Sequence, residues 1–320
     1  MNRWSIYLGI CLAVQVVLAV GVNLARTDYS AFKPTEALLS FDANMVDTIL
    51  IKQDEKQQVR LKKEEGRWRI SPMNNFQADP VKVKDFLGKL AELKKGWPVA
   101  TTTAAAKRFK VADDDYERKI ILSRDGKDIE TLFIGTSPSF RKVHARQKDE
   151  ESVYAVYFSS YEASTKPEDW IDTGVLKHPA SEIARVQFPD FSLSRQDGKL
   201  TVEGIDGDSE ETVAEEADLL LRKIADLRIR TVLGTEAKPE YNQDKPVFRY
   251  TLVLSSGDSE EYVYSKPKDA DGYVLKTSHR GEYFKVDHWV VDEIKEIGRS
   301  KLVRKKDDEK KGTKKESAAK

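Results

Sequence analysis

Apolar residues are most concentrated near the start of the chain, in a run from Ser5 to Ala25 that no charged residue interrupts. A helix of about 20 residues is roughly 30 Å long, which matches the hydrocarbon thickness of a bilayer. Trp4 and Tyr7 lie where an interfacial aromatic belt is expected. The pattern predicts a single N-terminal transmembrane helix over residues 1–26, with the bulk of the chain on the far side of the membrane.

Cleavage of this run as a signal peptide stays open as another interpretation. Ala19-Val20-Gly21 offers a small-residue cleavage site, so the run is also compatible with a long signal peptide that is removed. A lipid attached to Cys11 is disfavoured, because the residue immediately before it is not small. The orientation with the N-terminus inside depends mainly on the position of the run, because Arg3 and Arg26 flank it evenly.

Downstream of residue 43, short runs of β-branched and aromatic residues alternate with glycine turns, and one amphipathic helix interrupts them. Asp79 is a good N-cap for that helix, with Pro80 at its first position. Antiparallel strands that alternate apolar and polar residues need one covered face, which a single helix provides, so the pattern predicts an α+β fold. The predicted apolar face of the helix consists of Val83, Phe86, Leu87, Leu90 and Leu93.

The same order of elements recurs in the second half of the chain. Thr212 and Glu215 have capping-box spacing before a second amphipathic helix. The turn glycines Gly126 and Gly257 lie 131 residues apart, and other equivalent positions have similar offsets. We therefore expect two tandem repeated modules, each an antiparallel sheet of about six strands packed against one helix.

Polar segments flank the two modules. Residues 27–43 are suited to a juxtamembrane stalk, and the residues from 301 onward alternate Lys with Glu and Asp, which is typical of disorder. The predicted organisation is an anchor over 1–26, a stalk over 27–43, modules over 44–177 and 178–300, and a disordered charged tail over 301–320.

Charge and cysteine content exclude several classes of protein. The chain has 54 Lys and Arg and 54 Asp and Glu, so it carries no net charge that would attract nucleic acid. Its single cysteine, Cys11, lies inside the apolar run, which excludes a disulfide framework and a zinc site built from cysteines.

Candidate catalytic chemistry is sparse. The four histidines have no second metal ligand at helical spacing, and nucleophile, phosphate-loop and dinucleotide motifs are missing from the sequence. Asp113-Asp114-Asp115 and Asp269-Ala270-Asp271 are acidic, but neither has the oxygen-bearing positions of a calcium loop. We expect a protein that is not an enzyme and holds no cofactor or metal.

The apolar run contains one candidate surface for a partner. Gln15 is a polar residue near its middle, and Gly9 and Ala13 are small residues four positions apart. Small residues allow close helix approach in a membrane, and an amide can hydrogen-bond across helices. These three residues predict a face that meets another transmembrane helix, although a tolerated amide in an inert anchor stays open.

A further motif has a structural explanation and carries a family resemblance. Trp68-Arg69-Ile70-Ser71-Pro72, followed by Ala78-Asp79 and a leucine-rich helix, resembles domain-of-unknown-function family 4340. Ile134-Gly135 and Asp169-Trp170 fit the same pattern. In the second half, Val202 stands about where the tryptophan is expected. We therefore interpret Trp68, Pro72, Ala78 and Asp79 as structural residues.

The resemblance implies a bitopic envelope component associated with ABC-2 transporters of the gliding-motility kind. It implies a bacterial inner membrane, a cytoplasmic N-terminus and a periplasmic C-terminal region, and it supplies no catalytic residues. The leading hypothesis is a non-enzymatic auxiliary or scaffold subunit that contacts an ABC permease or ATPase.

Two alternative functions remain. A module that binds envelope glycan or peptide requires an exposed aromatic cluster, for which Trp97, Tyr161 and Trp170 are candidates. An enzyme whose residues meet only in the folded chain requires a pocket that brings His144 or His279 together with carboxylates.

Overall fold

The computed structural model describes residues 3–28, 36–196, 198–268 and 270–306. Within them the α-helices are α1 (Arg3–Asp28), α2 (Pro80–Ala91), α3 (Thr103–Arg108), α4 (Ala214–Ala225), α5 (His288–Lys295) and α6 (Arg299–Leu302). The first nine strands are β1 (Thr48–Lys52), β2 (Gln58–Glu64), β3 (Arg67–Ile70), β4 (Phe76–Gln77), β5 (Pro98–Ala100), β6 (Arg118–Arg124), β7 (Lys127–Ile134), β8 (Lys142–Gln147) and β9 (Val153–Tyr157). The other ten are β10 (Ile183–Gln187), β11 (Ser192–Gln196), β12 (Lys199–Val202), β13 (Glu210–Thr212), β14 (Thr231–Gly234), β15 (Pro246–Leu254), β16 (Ser259–Ser265), β17 (Tyr273–Thr277), β18 (Tyr283–Val286) and β19 (Val303–Lys305).

The fold is α+β and is dominated by large antiparallel sheets, as the alternation of the strands predicts. The described strands form a nine-stranded sheet in the order β4-β3-β2-β1-β6-β7-β8-β9-β5 and an eight-stranded sheet in the order β12-β11-β10-β15-β16-β17-β18-β14. A third sheet pairs β13 with β19. The expectation of about six strands a sheet was too low, because short strands such as β4, β5 and β14 carry too few residues to show a periodic pattern.

Contacts between Cα atoms divide the chain into two compact units. The first consists of Met1–Arg60 and Lys84–Thr165, and the second consists of Leu61–Val83 and Lys166–Lys320. The sequence boundaries, by contrast, placed Leu61–Val83 in the first module.

Helix α2 buries the face that its spacing predicts, and α4 also buries one apolar face, although Val213 just before α4 is only half-buried. The five residues predicted for the face around α2 are all buried, and so are Ala217, Leu220 and Ile224 of α4. Burial of such aliphatic and aromatic side chains contributes about 1.5–3 kcal/mol each to stability. The apolar faces therefore hold these helices in place.

The start of α2 is capped as predicted, whereas the start of α4 is not. Asp79 Oδ1 accepts from the backbone N–H groups of Val81 at 2.9 Å and Lys82 at 3.2 Å. The predicted Thr212 cap is wrong: α4 has Val213 at its N-cap position, without a side-chain cap. Thr212 ends β13, and its hydroxyl accepts instead from the N–H of Val202 at 3.0 Å.

Helix α1 covers the apolar run and is 26 residues long. In the part of the chain that the structure describes, which includes the α1 side chains at positions 4, 7 and 11–21, no helix is both long and apolar enough to span a membrane.

Two flanking segments differ from their predictions. In the expected stalk, Leu38 and Leu39 are buried, and the N–H of Leu38 donates to the carbonyl of Leu93 at 2.8 Å. In the expected disordered tail, Leu302 is buried and Val303–Lys305 pairs as β19 with β13. Residues 29–35 and 307–320 lie outside the described residues. Leu38, Leu39 and Leu302 are too sparse to form a pattern, and their burial holds the described parts of both segments in place.

Candidate functional site

The candidate site forms at one end of the β8–β9 hairpin in the first unit. The antiparallel register places Lys142, the first residue of β8, opposite Tyr157, the last residue of β9. The segment before β8 and the segment after β9 must therefore lie side by side. The N–H of Phe158 donates to the carbonyl of Arg141 at 3.1 Å, which ties the two segments together.

Three aromatic rings on these segments point into solvent. Tyr161 is 91% exposed, Phe140 is 86% exposed and Tyr157 is 76% exposed. Exposed aromatic residues that occur singly need no explanation, but several around one depression mark a binding surface. Such a ring costs little conformational entropy when a ligand covers it, because it has only two side-chain torsions.

These rings border a groove of about 880 Å³, which we call the aromatic groove. Pockets of roughly 300–1,000 Å³ are typical of sites for small molecules and short chains. The groove is lined by Lys89, Glu92, Leu93, Ser137, Ser139, Phe140, Arg141, Tyr157, Phe158, Ser159, Ser160, Tyr161 and Glu162.

The floor of the aromatic groove is rigidly held. Phe158 is buried and meets Phe86 of α2 edge to face, with ring centroids 6.3 Å apart. Lys89, also on α2, forms an ion pair with Glu162. Ser137 Oγ donates to the carbonyl of Lys142 at 2.5 Å, which holds the loop before β8. The helix and both loops are therefore joined beneath the exposed rings.

Two cations lie on the groove's rings. Lys142 Nζ is 4.4 Å from the ring centre of Tyr157, and the Arg141 guanidinium is 5.3 Å from that of Phe140. A cation over an aromatic face is attracted by the ring's quadrupole and restrains its orientation. Each ring retains a second face for a ligand.

The predicted residues of the apolar run lie on α1. Ala13 and Gln15 are exposed on it, and the surroundings of Gly9 lie outside the described residues. The chain as described therefore leaves Ala13 and Gln15 accessible to a partner.

Trp68, Ala78 and Asp79 of the motif meet at a structural junction in the second unit, whereas Pro72 is exposed. Trp68 and Ala78 are buried, and the N–H of Ala78 donates to the carbonyl of Trp68 at 2.9 Å. The N–H of Asp79 donates to the carbonyl of Trp170, itself fully buried, at 2.8 Å. Pro72 lies in a short 3-10 helix over Ser71–Met73. The motif is thus explained by main-chain pairing and capping.

Among the described residues, no hydrogen bond or ion pair joins His144 or His279 to a carboxylate, whereas His178 Nε2 lies 3.6 Å from Glu260. His144 is buried, stacks on Phe109 with centroids 4.1 Å apart, and has its Nδ1 2.9 Å from Thr136 Oγ1. Burial lowers the pKa of His144, and the nearby Arg108 charge lowers it further. His279 is exposed and lines none of the described cavities.

Each aspartate of the first acidic cluster forms an ion pair with a different Lys or Arg side chain. Asp113 pairs with Arg146 at 2.8 Å, Asp114 with Lys107 at 3.0 Å, and Asp115 with Lys110 at 2.9 Å. Asp271 forms an ion pair with Arg230 at 3.6 Å, its Oδ1 lies 3.1 Å from His288 Nδ1, and Asp269 lies outside the described residues. No group of three or more metal-ligating side chains occurs in the described part of the chain.

The family model described as Domain of unknown function (DUF4340) matches residues 68–246, more than half of the chain. The chain belongs to this family. No curated protein and no solved structure matches it. The matched stretch of the DUF4340 chain includes every residue that lines the aromatic groove and all four structural motif residues.

Sequence reasoning found part of the aromatic groove of this DUF4340 protein. Of its three ligand candidates, Tyr161 lies in the groove, Trp97 is exposed elsewhere and Trp170 is buried. It missed Phe140 and Tyr157. Tyr157 occupies an outward position of an alternating strand, and Phe140 is a lone aromatic in a polar loop. The signal that could have identified both residues is an aromatic side chain at a position where the pattern predicts exposure to solvent.

Proposed function

We propose that this DUF4340 protein is a non-enzymatic, membrane-anchored envelope component that works by binding, with the aromatic groove as its ligand site. The observation that carries the proposal is the grouping of Phe140, Tyr157 and Tyr161 around one groove with a rigid floor. Aromatic side chains are enriched among the residues that supply binding energy at interfaces. The groove thus favours the envelope glycan- or peptide-binding function.

The anchor of the proposed protein is α1. The length of α1, about 39 Å, exceeds a hydrocarbon core of about 30 Å, and the apolar character of the span rests on the whole uncharged run Ser5–Ala25 of the sequence, of which the described side chains are only a part. Its described side chains from Cys11 to Gly21 are exposed, and all but Gln15 are apolar or small. In this proposal the N-terminus is cytoplasmic and the chain after α1 is periplasmic.

We also propose that the extracytoplasmic part is a pair of related modules. Eight strands of the first sheet, β3-β2-β1-β6-β7-β8-β9-β5, follow an order that the eight-stranded sheet repeats as β12-β11-β10-β15-β16-β17-β18-β14. Each order has three consecutive strands, then four further consecutive strands, and ends on a short strand that precedes those four in the sequence. A tandem duplication accounts for this agreement more simply than independent origins.

Binding to the aromatic groove is tested by sedimentation. Full-length protein in detergent micelles is mixed with insoluble envelope material from the cells that produce it, and the bound fraction is measured. We expect Tyr161→Ala and Phe140→Ala each to weaken binding about tenfold, the effect of removing a stacked aromatic contact. Trp97→Ala is the matched control, since Trp97 is 72% exposed but does not line the groove. Equal binding by all four proteins would refute the proposed site.

A second candidate, an auxiliary subunit of an ABC-type transporter, is favoured by two features of α1: the small residues Gly9 and Ala13 lie four positions apart, and Gln15, on the opposite side of the helix from Ala13, is a polar residue within the apolar run. It predicts that a permease or ATPase is recovered with full-length protein from mild detergent, and that Gln15→Leu reduces the recovery. Leu18→Ala, a change on the same helix, is the control. Recovery of no transporter subunit by the full-length protein would reject this candidate while leaving the groove proposal standing.

A further inference from the structure

Hydroxyl groups surround the exposed rings of the aromatic groove. Ser139, Ser159 and Ser160 line it, and none of their hydroxyls is hydrogen-bonded to another group in the described residues. The fourth lining serine, Ser137, donates its hydroxyl to the carbonyl of Lys142. Three hydroxyls are therefore available, each able to donate and to accept.

Flat rings and free hydroxyls together match the chemistry of sugars. A pyranose ring has an apolar face of C–H groups that stacks on an aromatic ring, and a rim of hydroxyls that both donate and accept hydrogen bonds. The free faces of Phe140, Tyr157 and Tyr161 supply the first kind of contact, and the serines supply the second. Three rings around one groove suit a chain of several sugar units.

The charges of the aromatic groove are compatible with this ligand. Lys89 and Glu162 neutralise each other. Arg141 and Lys142 lie on aromatic faces, and among the described residues no carboxylate forms an ion pair with either. Glu92 is the one other lining carboxylate. Lys89 and Arg141 thus balance the two lining carboxylates, and Lys142 lies beside the groove without lining it. A groove with no net lining charge accepts neutral or weakly acidic chains and gives no strong attraction for a polyanion.

A peptide added as an extra strand fits the groove less well. Strand addition needs a row of free backbone groups along a sheet edge. The neighbouring strand β5 pairs with Val153 and Tyr154, the first two residues of β9. At most the Ala155–Tyr157 end of that edge is open, and beyond it the N–H of Phe158 turns toward Arg141. An edge of three residues can form only a few backbone hydrogen bonds with an added strand.

We propose that the ligand of the aromatic groove is a glycan chain, held by stacking on Phe140, Tyr157 and Tyr161 and by hydrogen bonds to Ser139, Ser159 and Ser160. This inference depends on the binding role proposed above and names the class of ligand for the same site.

Selective destruction of the envelope material tests the ligand class. One portion is digested with a broad-specificity protease, which removes protein and leaves glycan strands. Another is treated with anhydrous hydrogen fluoride, which cleaves glycosidic bonds and leaves peptide bonds intact. We expect full-length protein to sediment with the first portion as with untreated material, and to lose at least about 90% of its binding to the second, a tenfold fall. The double variant Ser159→Ala/Ser160→Ala, which keeps every ring, should bind the protease-treated portion about three- to tenfold more weakly, as expected for lost hydrogen bonds.

Each other outcome is decisive. If binding survives hydrogen fluoride, the glycan proposal is overturned, whatever the protease does. If binding is lost in both portions, the proposal is also overturned, because glycan strands alone are then not sufficient for binding. In those cases the groove proposal stands if Tyr161→Ala still weakens binding to untreated material. If Tyr161→Ala and Trp97→Ala bind untreated material equally well, the groove proposal itself fails.

Discussion

Lys142 Nζ lies 4.4 Å from the ring centre of Tyr157, directly across the β8–β9 pair. The lysine therefore covers one face of a ring that is 76% exposed and that lines the aromatic groove. A cation–π contact at an exposed position contributes about 0.5–1 kcal/mol.

Loss of that contact should affect binding more than folding. We expect Lys142→Met, which keeps the length of the side chain, to weaken binding to envelope material about two- to fivefold. The thermal midpoint should fall by no more than about 3 °C, because the lost contact contributes only about 0.5–1 kcal/mol. Lys148→Met, at an exposed lysine of the same unit that contacts no ring, is the control. Unchanged binding by Lys142→Met would show that the lysine does not orient Tyr157.

Gly135 occupies a position that no larger residue can take. A Cβ atom there would lie 1.9 Å from the carbonyl oxygen of Phe109 and 2.4 Å from that of Lys110. Both obstacles are backbone atoms, which cannot rotate away. We expect Gly135→Ala to lower the free energy of unfolding by about 3 kcal/mol or more in urea titrations.

Gly88 provides the control for this substitution. It lies inside α2, and a Cβ added there meets nothing within 4 Å. Because alanine is a better helix former than glycine, Gly88→Ala should raise stability by about 0.5–1 kcal/mol. Similar effects of the two substitutions would contradict the close approach of Phe109 to Gly135.

Asp79 should stabilise the start of α2. Its carboxylate accepts from two helix N–H groups, so Asp79→Ala should cost about 1 kcal/mol of unfolding free energy, within a range of roughly 0.5–2. Asp79→Asn should restore most of this loss. Asp85→Ala removes an exposed carboxylate from the same helix and should change stability by less than about 0.5 kcal/mol. An equal cost for the substitutions at 79 and 85 would argue against the cap.

His144 should make the protein less stable in weak acid. Its folded-state pKa is lowered by burial from the ordinary value of 6.5, so the unfolded chain binds the proton more readily. Stability from this group is complete above the ordinary pKa and falls as the pH drops below it. The urea midpoint should decrease between about pH 7.5 and 5.5, and His144→Gln should flatten that decrease. A slope that His144→Gln leaves unchanged would place the titrating group elsewhere.

Local features of the fold could be predicted because adjacent residues decide them. Glu65-Gly66 and Asp125-Gly126 each join two paired strands, as a turn residue followed by glycine predicts. The buried face and the cap of α2 follow from spacing alone. The α+β class followed from these elements.

Features that depend on distant partners could not be predicted. Thr212 has the spacing of a cap, but its hydroxyl bonds Val202, ten residues earlier, because β13 places it there. In the β2–β3 hairpin, Trp68 lies two residues after the turn glycine Gly66. In the β11–β12 hairpin, the equivalent residue is Leu200, two residues after Gly198, and not Val202. The aromatic groove needed the pairing of Lys142 with Tyr157, and local patterns do not specify which strands meet.

Photo-crosslinking in living cells tests the central claim, that the aromatic groove is the ligand-binding surface. A p-benzoylphenylalanine is placed at position 161, 140 or 97 of the full-length protein, the cells are irradiated, and high-mass adducts are quantified. We predict adducts from positions 161 and 140, and only background from position 97, which lies outside the groove. Adducts from position 97 alone, or equal yields at all three positions, would contradict it.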